Sequence, residues 1–180
     1  MRPATHADVP ALRALIDRSA RALGAGDYTA AQIDGALRGA FGVDSQLIAD
    51  GTYFAIEHGG AIVGGGGWSR RQTLFGGDSQ SGRSPAELDP RTDAAKIRAF
   101  FVDPAHARHG LGAALLARCE AEASAHGFTR FELMATLTGA KLYSRRGYVP
   151  GAPIQHELGP GLTIEFVPMT KTVAATAPRP

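Results

Sequence analysis

FVDPAHARHGLGAALL, residues 101–116, is the stretch on which the reading of this chain turns. It leads from a β-rich apolar run, Lys96 to Val102, through a proline-containing turn to Gly110-Leu111-Gly112 and an amphipathic helix. Leu111, Leu115, Cys119 and Ala123 fall on one face of that helix. The first backbone N–H groups of a helix have no partner inside it and carry partial positive charge, so a helix starting near Gly110 can hold an anion. Gly110 and Gly112 lack a Cβ and let a phosphate come close to the backbone. Taken alone, the segment reads equally well as a plain strand-turn-helix connection.

Composition narrows the class. A length of 180 residues suits one domain with one core. With 19 basic and 17 acidic residues the formal charge is +2, which calls for neither nucleic acid nor a membrane surface. The lone Cys119 cannot form an internal disulfide, and its alanine-rich helical setting predicts a buried thiol in a reduced, cytoplasmic chain. No apolar run reaches the length of about 18 residues that spans a bilayer, and the N-terminus lacks a signal-peptide pattern. His106 and His109 stand three apart with no third ligand nearby, so no metal is expected.

Before the decisive stretch, Met1 to Thr5 predicts a short edge strand. A helix follows with Val9, Leu12, Ile16 and Leu23 at helical spacing, ending at Gly24 to Gly26. A second helix is expected from Thr29, where Gln32 completes a capping box and Ile33, Leu37 and Phe41 recur every four residues. Tyr53 to Glu57 and Ala61 to Ser69 read as a hairpin around His58-Gly59-Gly60. Inside its second strand the run Gly64 to Gly67 predicts a bulge or close packing. Residues 76–93 have the composition of a flexible surface loop.

Beyond the helix, Phe128 to Ala135 predicts a strand and Thr138 to Arg146 a short basic helix ending at Gly147. Tyr148 opens a further strand. Ile154 to Leu158 and Thr163 to Met169 are expected to pair through Gly159-Pro160-Gly161. The domain is therefore drawn over residues 1–170, with 171–180 as a disordered tail.

Two motifs together make the sequence resemble the GCN5-related N-acetyltransferase (GNAT) family. VDPAHARHGLGAALL, Val102 to Leu116, is similar to the family's acetyl-coenzyme A pyrophosphate loop. AKLYSRRGYV, Ala140 to Val149, is similar to its short helix carrying a tyrosine four residues before a glycine and an aromatic. RPATHADVPALRALI at the start resembles the first strand and helix of many members. One departure stands out: the family's Arg or Gln three residues before the first glycine is Ala107 here, with Arg108 next to it.

The resemblance implies an α/β fold of mixed α+β type. Its centre is a mostly antiparallel twisted sheet of six or seven strands with about four helices, splayed at the cofactor-binding strands. It implies acetyl-CoA as co-substrate and transfer of acetyl to a primary amine. The backbone from Arg108 through His109, Gly110, Leu111 and Gly112 to Ala113 then holds the pyrophosphate, with Arg108 and His109 adding charge. Strand Ala99 to Val102 pairs with the pantetheine arm, and the N–H of Val102, or of Phe101 where a bulge shifts the register, polarises the acetyl carbonyl. Tyr143 matches the family's general acid.

The remaining candidates come from residue type and position. Glu132 and Glu57 are the carboxylates within strand-like runs and are the candidate bases, acting directly or through water. Trp68, Arg70 and Arg71 at the end of the hairpin are the candidate acceptor contacts; Tyr28 between the first two helices is a further one implied by the resemblance, since that connection overlooks the cofactor cleft in proteins of this type. A small-molecule amine is the expected partner, with no nucleic acid and no membrane; a homodimer is left open. Protein or peptide acetylation, and a non-catalytic acyl-CoA sensor, are the competing readings.

Overall fold

Helix α1 (Val9–Gly24) starts beside a Thr5/Asp8 capping box, in which Thr5 N–H donates to Asp8 Oδ2 at 2.7 Å. Pro10 is tolerated there because a first-turn N–H has no helical partner to lose. This computed structural model describes residues 1–174. Helix α2 (Ala30–Ala36) opens on the expected Thr29/Gln32 capping box: Gln32 N–H donates to Thr29 Oγ1 at 3.2 Å and Thr29 N–H donates to Gln32 Oε1 at 2.9 Å.

The helical period runs on to Phe41, but α2 stops at Ala36 and an unanticipated helix α3 (Ser45–Ala49) follows, capped by Asp44. The break has a long-range cause. Gly77 N–H donates to Gly39 O at 2.9 Å and Asp78 N–H to Val43 O at 3.0 Å, so a distant loop takes up carbonyls of the connecting segment. Phe41 is still buried, from a turn rather than a helix.

One sheet organises the chain. Its strands are β1 (Arg2–Pro3), β2 (Tyr53–His58), β3 (Ala61–Ser69), β4 (Ala95–Val102), β5 (Arg130–Thr136), β6 (Val149–Pro150), β7 (Ile154–Gly159) and β8 (Leu162–Thr172). The order is β1-β2-β3-β4-β5-β8-β6, with β7 also paired to β8. Every pairing is antiparallel except β4 with β5, whose crossover is helix α4 (Leu111–Ala125). Helices α4 and α5 (Leu137–Ser144) cover one face over Trp68, Ile97, Phe131 and Leu133. Helices α1, α2 and α3 cover the other over Tyr53, Ala55, Ile164 and Phe166. The sheet is mostly antiparallel, as the resemblance implies, and among the described residues it reaches eight strands with five α-helices because short edge strands and α3 add to the count.

The glycine run sits at a bulge. Gly65 pairs with Phe101 and Gly67 with Arg98, so Ala99 and Phe100 together face Gly66, with Ala99 at a φ of 57°. A Cβ on Gly66 would lie 2.7 Å from Cδ2 of Phe100, and one on Gly67 only 2.6 Å from the Thr52 carbonyl oxygen. Both glycines are therefore required by neighbours and not by a turn.

Two expectations need revision. Strand β8 extends to Thr172, with Thr170, Lys171 and Thr172 opposite Glu132, Phe131 and Arg130, and Val173 N–H donates to Thr129 O at 2.9 Å. Lys171 and Thr172 thus extend the sheet and Val173 is tied to it, so these residues are not a tail; residues 175–180 of the expected tail lie outside the described residues. The segment 76–93 contains no helix or strand, but it is tethered: Gly76 O accepts from Arg98 at 2.6 Å, Ser45 N–H donates to Asp78 at 2.9 Å, and Leu88 N–H donates to Arg70 O at 2.8 Å.

Gly67→Ala should lower the unfolding free energy by about 1–3 kcal/mol, since its Cβ meets a backbone oxygen that cannot rotate away. Urea denaturation is the measurement. Gly26→Ala, with nothing within 4 Å of the added carbon, serves as the near-neutral comparison.

Candidate active site

Strands β4 and β5 share two rungs only, Ala95 with Phe131 and Lys96 with Glu132. Beyond them β4 continues to Val102 and β5 to Thr136 without pairing to each other, so a wedge opens in the middle of the sheet. The bulge at Ala99 and Phe100 turns β4 aside at the point where the wedge widens. Unpaired strand backbone of this kind offers donors and acceptors to an extended guest.

The loop from β4 into α4 is held locally. Asp103 Oδ1 accepts from Ala105 N–H at 3.0 Å and caps a short 3-10 turn, while Arg18 of α1 donates to Asp103 Oδ2 at 3.1 Å. Arg108 then adopts a left-handed φ of 68° and Gly110 one of 84°. A non-glycine residue in that region costs about 1–3 kcal/mol and is kept only where the surroundings impose it. Gly110 is the N-cap of α4 and offers no side-chain cap, leaving the first N–H groups of a 15-residue helix unpartnered at the loop. Nothing lies within 4 Å of a Cβ built on Gly110, so the space above it is open. Arg108 and His109 are exposed, whereas Ala107 is half-buried.

Gly112 has a second reason to be glycine: a Cβ there would lie 3.0 Å from Cδ2 of Leu142, so α4 and α5 abut at this point. Leu111 and Ala113 are half-buried beside it. Residues 108–113 thus combine a left-handed loop, open space and free donors, a combination that fits a pyrophosphate.

Tyr143 stands on α5 at 8 % exposure, its ring edge-on to Phe100 at 6.2 Å and to Tyr148 at 5.8 Å. Burial pushes its phenol above the usual tyrosine value, so it stays protonated at neutral pH. Phe100, absent from the sequence candidates, is brought to this tyrosine by the bulge.

Val102 and Phe101 are differently placed. Val102 N–H donates to Ser19 Oγ of α1 at 3.3 Å, so a carbonyl would have to displace that hydroxyl to reach it. Phe101 sends its ring to the opposite face of the sheet, against Phe41 at 5.8 Å. Ser19 was not foreseen; its only sequence signal is a serine on the apolar face of α1.

The chain matches the acetyltransferase (GNAT) family over residues 15–148. It belongs to the GNAT family. It is accordingly an acetyl-CoA-dependent N-acetyltransferase. Solved GNAT structures share its fold at low identity. The GCN5-related N-acetyltransferase from Rhodopseudomonas palustris superposes with a TM-score of 0.70 at 20% identity, covering 96% of this chain and 94% of that one. The PaiA N-acetyltransferase from Thermoplasma acidophilum, in complex with coenzyme A, gives 0.63 at 13% identity over 96% and 97%. The ribosomal-protein-alanine N-acetyltransferase from Brucella melitensis gives 0.62 at 19% identity over 96% and 98%. A search of curated proteins by sequence finds no match.

Several expected GNAT site residues have other work. Trp68 is fully buried beneath α4, packed on His126 and Phe128 with its Nε1 3.4 Å from Glu122, and offers no surface to an acceptor. Its strand position alternates toward the α4 face, so it cannot serve as the acceptor contact expected of it. Arg71 makes a bidentate pair with Asp50 at 2.7 and 2.8 Å, and Arg70 reaches Glu87 at 3.3 Å and Asp50 at 3.7 Å. Glu57 lies at the exposed end of β2, paired with Arg2 at 2.6 Å and separated from the wedge by β3 and β4. Glu132 is in direct contact with Lys96 on the last rung before the wedge. Among the described residues no group of three or more His, Cys, Asp or Glu gathers at a metal-binding spacing, and no helix is long and apolar enough to cross a membrane.

Tyr28 does reach the site, as a brace. Its hydroxyl donates to Glu165 O at 2.8 Å and accepts from Leu137 N–H at 2.8 Å, tying the α1–α2 connection to the start of α5. Burial pushes its phenol up to about 12, against the opposing pull of the Leu137 N–H. Tyr28→Phe should cost about 1–3 kcal/mol, because it removes two half-buried hydrogen bonds worth about 0.5–1.5 kcal/mol each. Thermal or urea unfolding measures this, and coenzyme A affinity by calorimetry should stay within about twofold, since the hydroxyl touches the brace alone.

Proposed function

We propose that this GNAT enzyme transfers acetyl to a primary amine of a small molecule by direct attack, with Tyr143 as general acid. One observation carries the reading. The wedge between β4 and β5 opens between a loop of free N–H donors on one side and a buried, protonated tyrosine on the other.

Acetyl-CoA supplies the thioester whose carbonyl the amine attacks. The chain's own groups divide the remaining work. Backbone donors of Gly110, Leu111, Gly112 and Ala113, with the exposed Arg108 and His109 alongside, bind the pyrophosphate. The unpaired edge of β4 near the bulge aligns the extended arm and offers an N–H toward the carbonyl. Tyr143 gives its proton to the departing sulfur. Phe100, over the bare face of Gly66, keeps that tyrosine out of bulk water.

An amine of lysine-like pKa must lose a proton at a cost of about 4–5 kcal/mol at pH 7. Of the two carboxylates, Glu132 stands at the root of the wedge and Glu57 does not. Glu132 is therefore assigned to accept that proton through water, since Lys96 holds its carboxylate.

A small acceptor is favoured over a peptide by the segment after β3. Phe75 reaches across the face opposite α4 to contact His156 of β7 at 5.0 Å and Phe166 of β8 at 5.7 Å. With Arg98 bonded to Gly76 O, this segment bridges the wedge from β4 to β7 and obstructs the open groove that an extended peptide needs.

Tyr143→Phe should lower kcat by about 100-fold or more while leaving coenzyme A affinity unchanged. Coenzyme A release across a panel of small amines, amino acids and peptides is the assay. Equal rates for the two proteins at saturating amine would remove the general-acid role. Because burial disfavours the phenolate, the wild-type rate should show no loss from this group below about pH 10.

A further inference from the structure

A second polar site lies away from the coenzyme loop. Between the start of α3, the end of β3 and the segment after it is a cavity of about 90 Å³. Its walls include Arg71, Arg83, Arg98, Ser69 and Thr73, and no carboxylate. That volume holds about three waters, enough for a carboxylate head group.

The charges explain why an anion suits it. Asp44, fully buried, is shared by Arg83 at 2.6 Å and Arg98 at 2.5 Å. Asp50, nearly as buried, is held by Arg71. Two buried carboxylates thus stand behind three guanidinium groups. Asp78 and Glu87 also approach Arg83 and Arg71, at 3.4 and 3.9 Å, but are themselves exposed and screened by solvent.

Two donors in its wall are also left over. Arg98 is 5 % exposed and its Nε–H has no partner. The buried Ser69 oxygen accepts from Arg71 N–H at 3.0 Å, which leaves its O–H to donate. Buried donors left without acceptors are costly, and an anion among guanidinium groups removes that cost through charge-assisted hydrogen bonds.

We propose that this cavity is a binding site for a small carboxylate. Arg71, Arg98 and the Ser69 hydroxyl supply its donors. Arg98 immediately precedes the bulge residue Ala99, so the occupant bears on the same turn of β4 that opens the wedge. The carboxylate can arrive as a free ion or as part of the acceptor amine. The site itself does not rest on the proposed acetyl transfer, and its test reads stability as well as rate.

Sodium formate is the probe. Thermal unfolding is followed against formate concentration at constant ionic strength, balanced with sodium HEPES, whose bulkier tetrahedral sulfonate does not match a planar carboxylate head group. The unfolding midpoint should rise with formate and continue with the logarithm of its concentration above saturation. Arg71→Gln should raise the half-saturating formate concentration at least about tenfold. Arg70, 3.7 Å from the same Asp50, remains to offset the charge left behind. Coenzyme A affinity should not change in this variant.

Identical curves in formate and HEPES for the wild type would mean that the cavity holds only water, and would overturn the proposal even if the variant does not fold. An undiminished response in folded Arg71→Gln would equally overturn this location. In the coenzyme A release assay, formate that competes with carboxylate-bearing amines assigns the site to the acceptor. Formate that stabilises without competing assigns it to a free ion.

Discussion

Two rungs of parallel ladder are all that joins β4 to β5, and the arrangement of the site follows from that shortage. A strand in the middle of a sheet ordinarily satisfies its backbone on both sides. Here β5 is engaged along its whole length by β8, while β4 is bent away by an extra residue opposite Gly66. What remains is strand backbone facing a gap, which the enclosing helices do not close. Ser19 shows how the fold manages this edge, lending a side-chain oxygen to Val102 where a neighbouring strand would have supplied a carbonyl.

The bulge also decides which residues meet. By adding Phe100 to one side of the strand it sends that ring across to Tyr143 on α5, while Phe101 turns to Phe41 on the far face. Gly66 makes room for the first of these rings, and Gly112 lets α5 lie against α4. The loop at Gly110 and Tyr143 are thereby carried by two helices in contact. Tyr28 fastens the start of the second helix to β8. Packing on one face and a pair of half-buried hydrogen bonds on the other fix the relation between the loop and the tyrosine.

Features written in short stretches of sequence were legible. The Thr29/Gln32 box, the hairpin at Gly159-Pro160-Gly161 and the helix carrying Tyr143 need only local chemistry, and each stands where its residues suggest. Features set by distant partners were not. The α2 period runs to Phe41, yet backbone donors from Gly77 and Asp78 end it, and nothing near Phe41 announces them. Glu57 looks like a free strand carboxylate until Arg2, 55 residues earlier, is brought beside it. Trp68 reads as an acceptor contact because the alternation that buries it begins within a glycine run, where no side chains mark the two faces. The left-handed turn and helix start at residues 108–113 follow from local glycine chemistry, whereas the surroundings of Trp68, Arg70 and Arg71 depend on which side chains the sheet gathers.

The last turn of the chain onto the sheet has a practical side. Thr170, Lys171 and Thr172 are the partners of Glu132, Phe131 and Arg130, the same stretch of β5 that holds the two rungs to β4. A protein shortened after Met169 would retain every candidate residue of the site and still bare one side of that stretch. The root of the wedge would become a sheet edge, open to another molecule's strand. Choosing where to end this polypeptide is therefore a choice about its candidate site, although Thr170, Lys171 and Thr172 pair with β5 on the side away from the wedge.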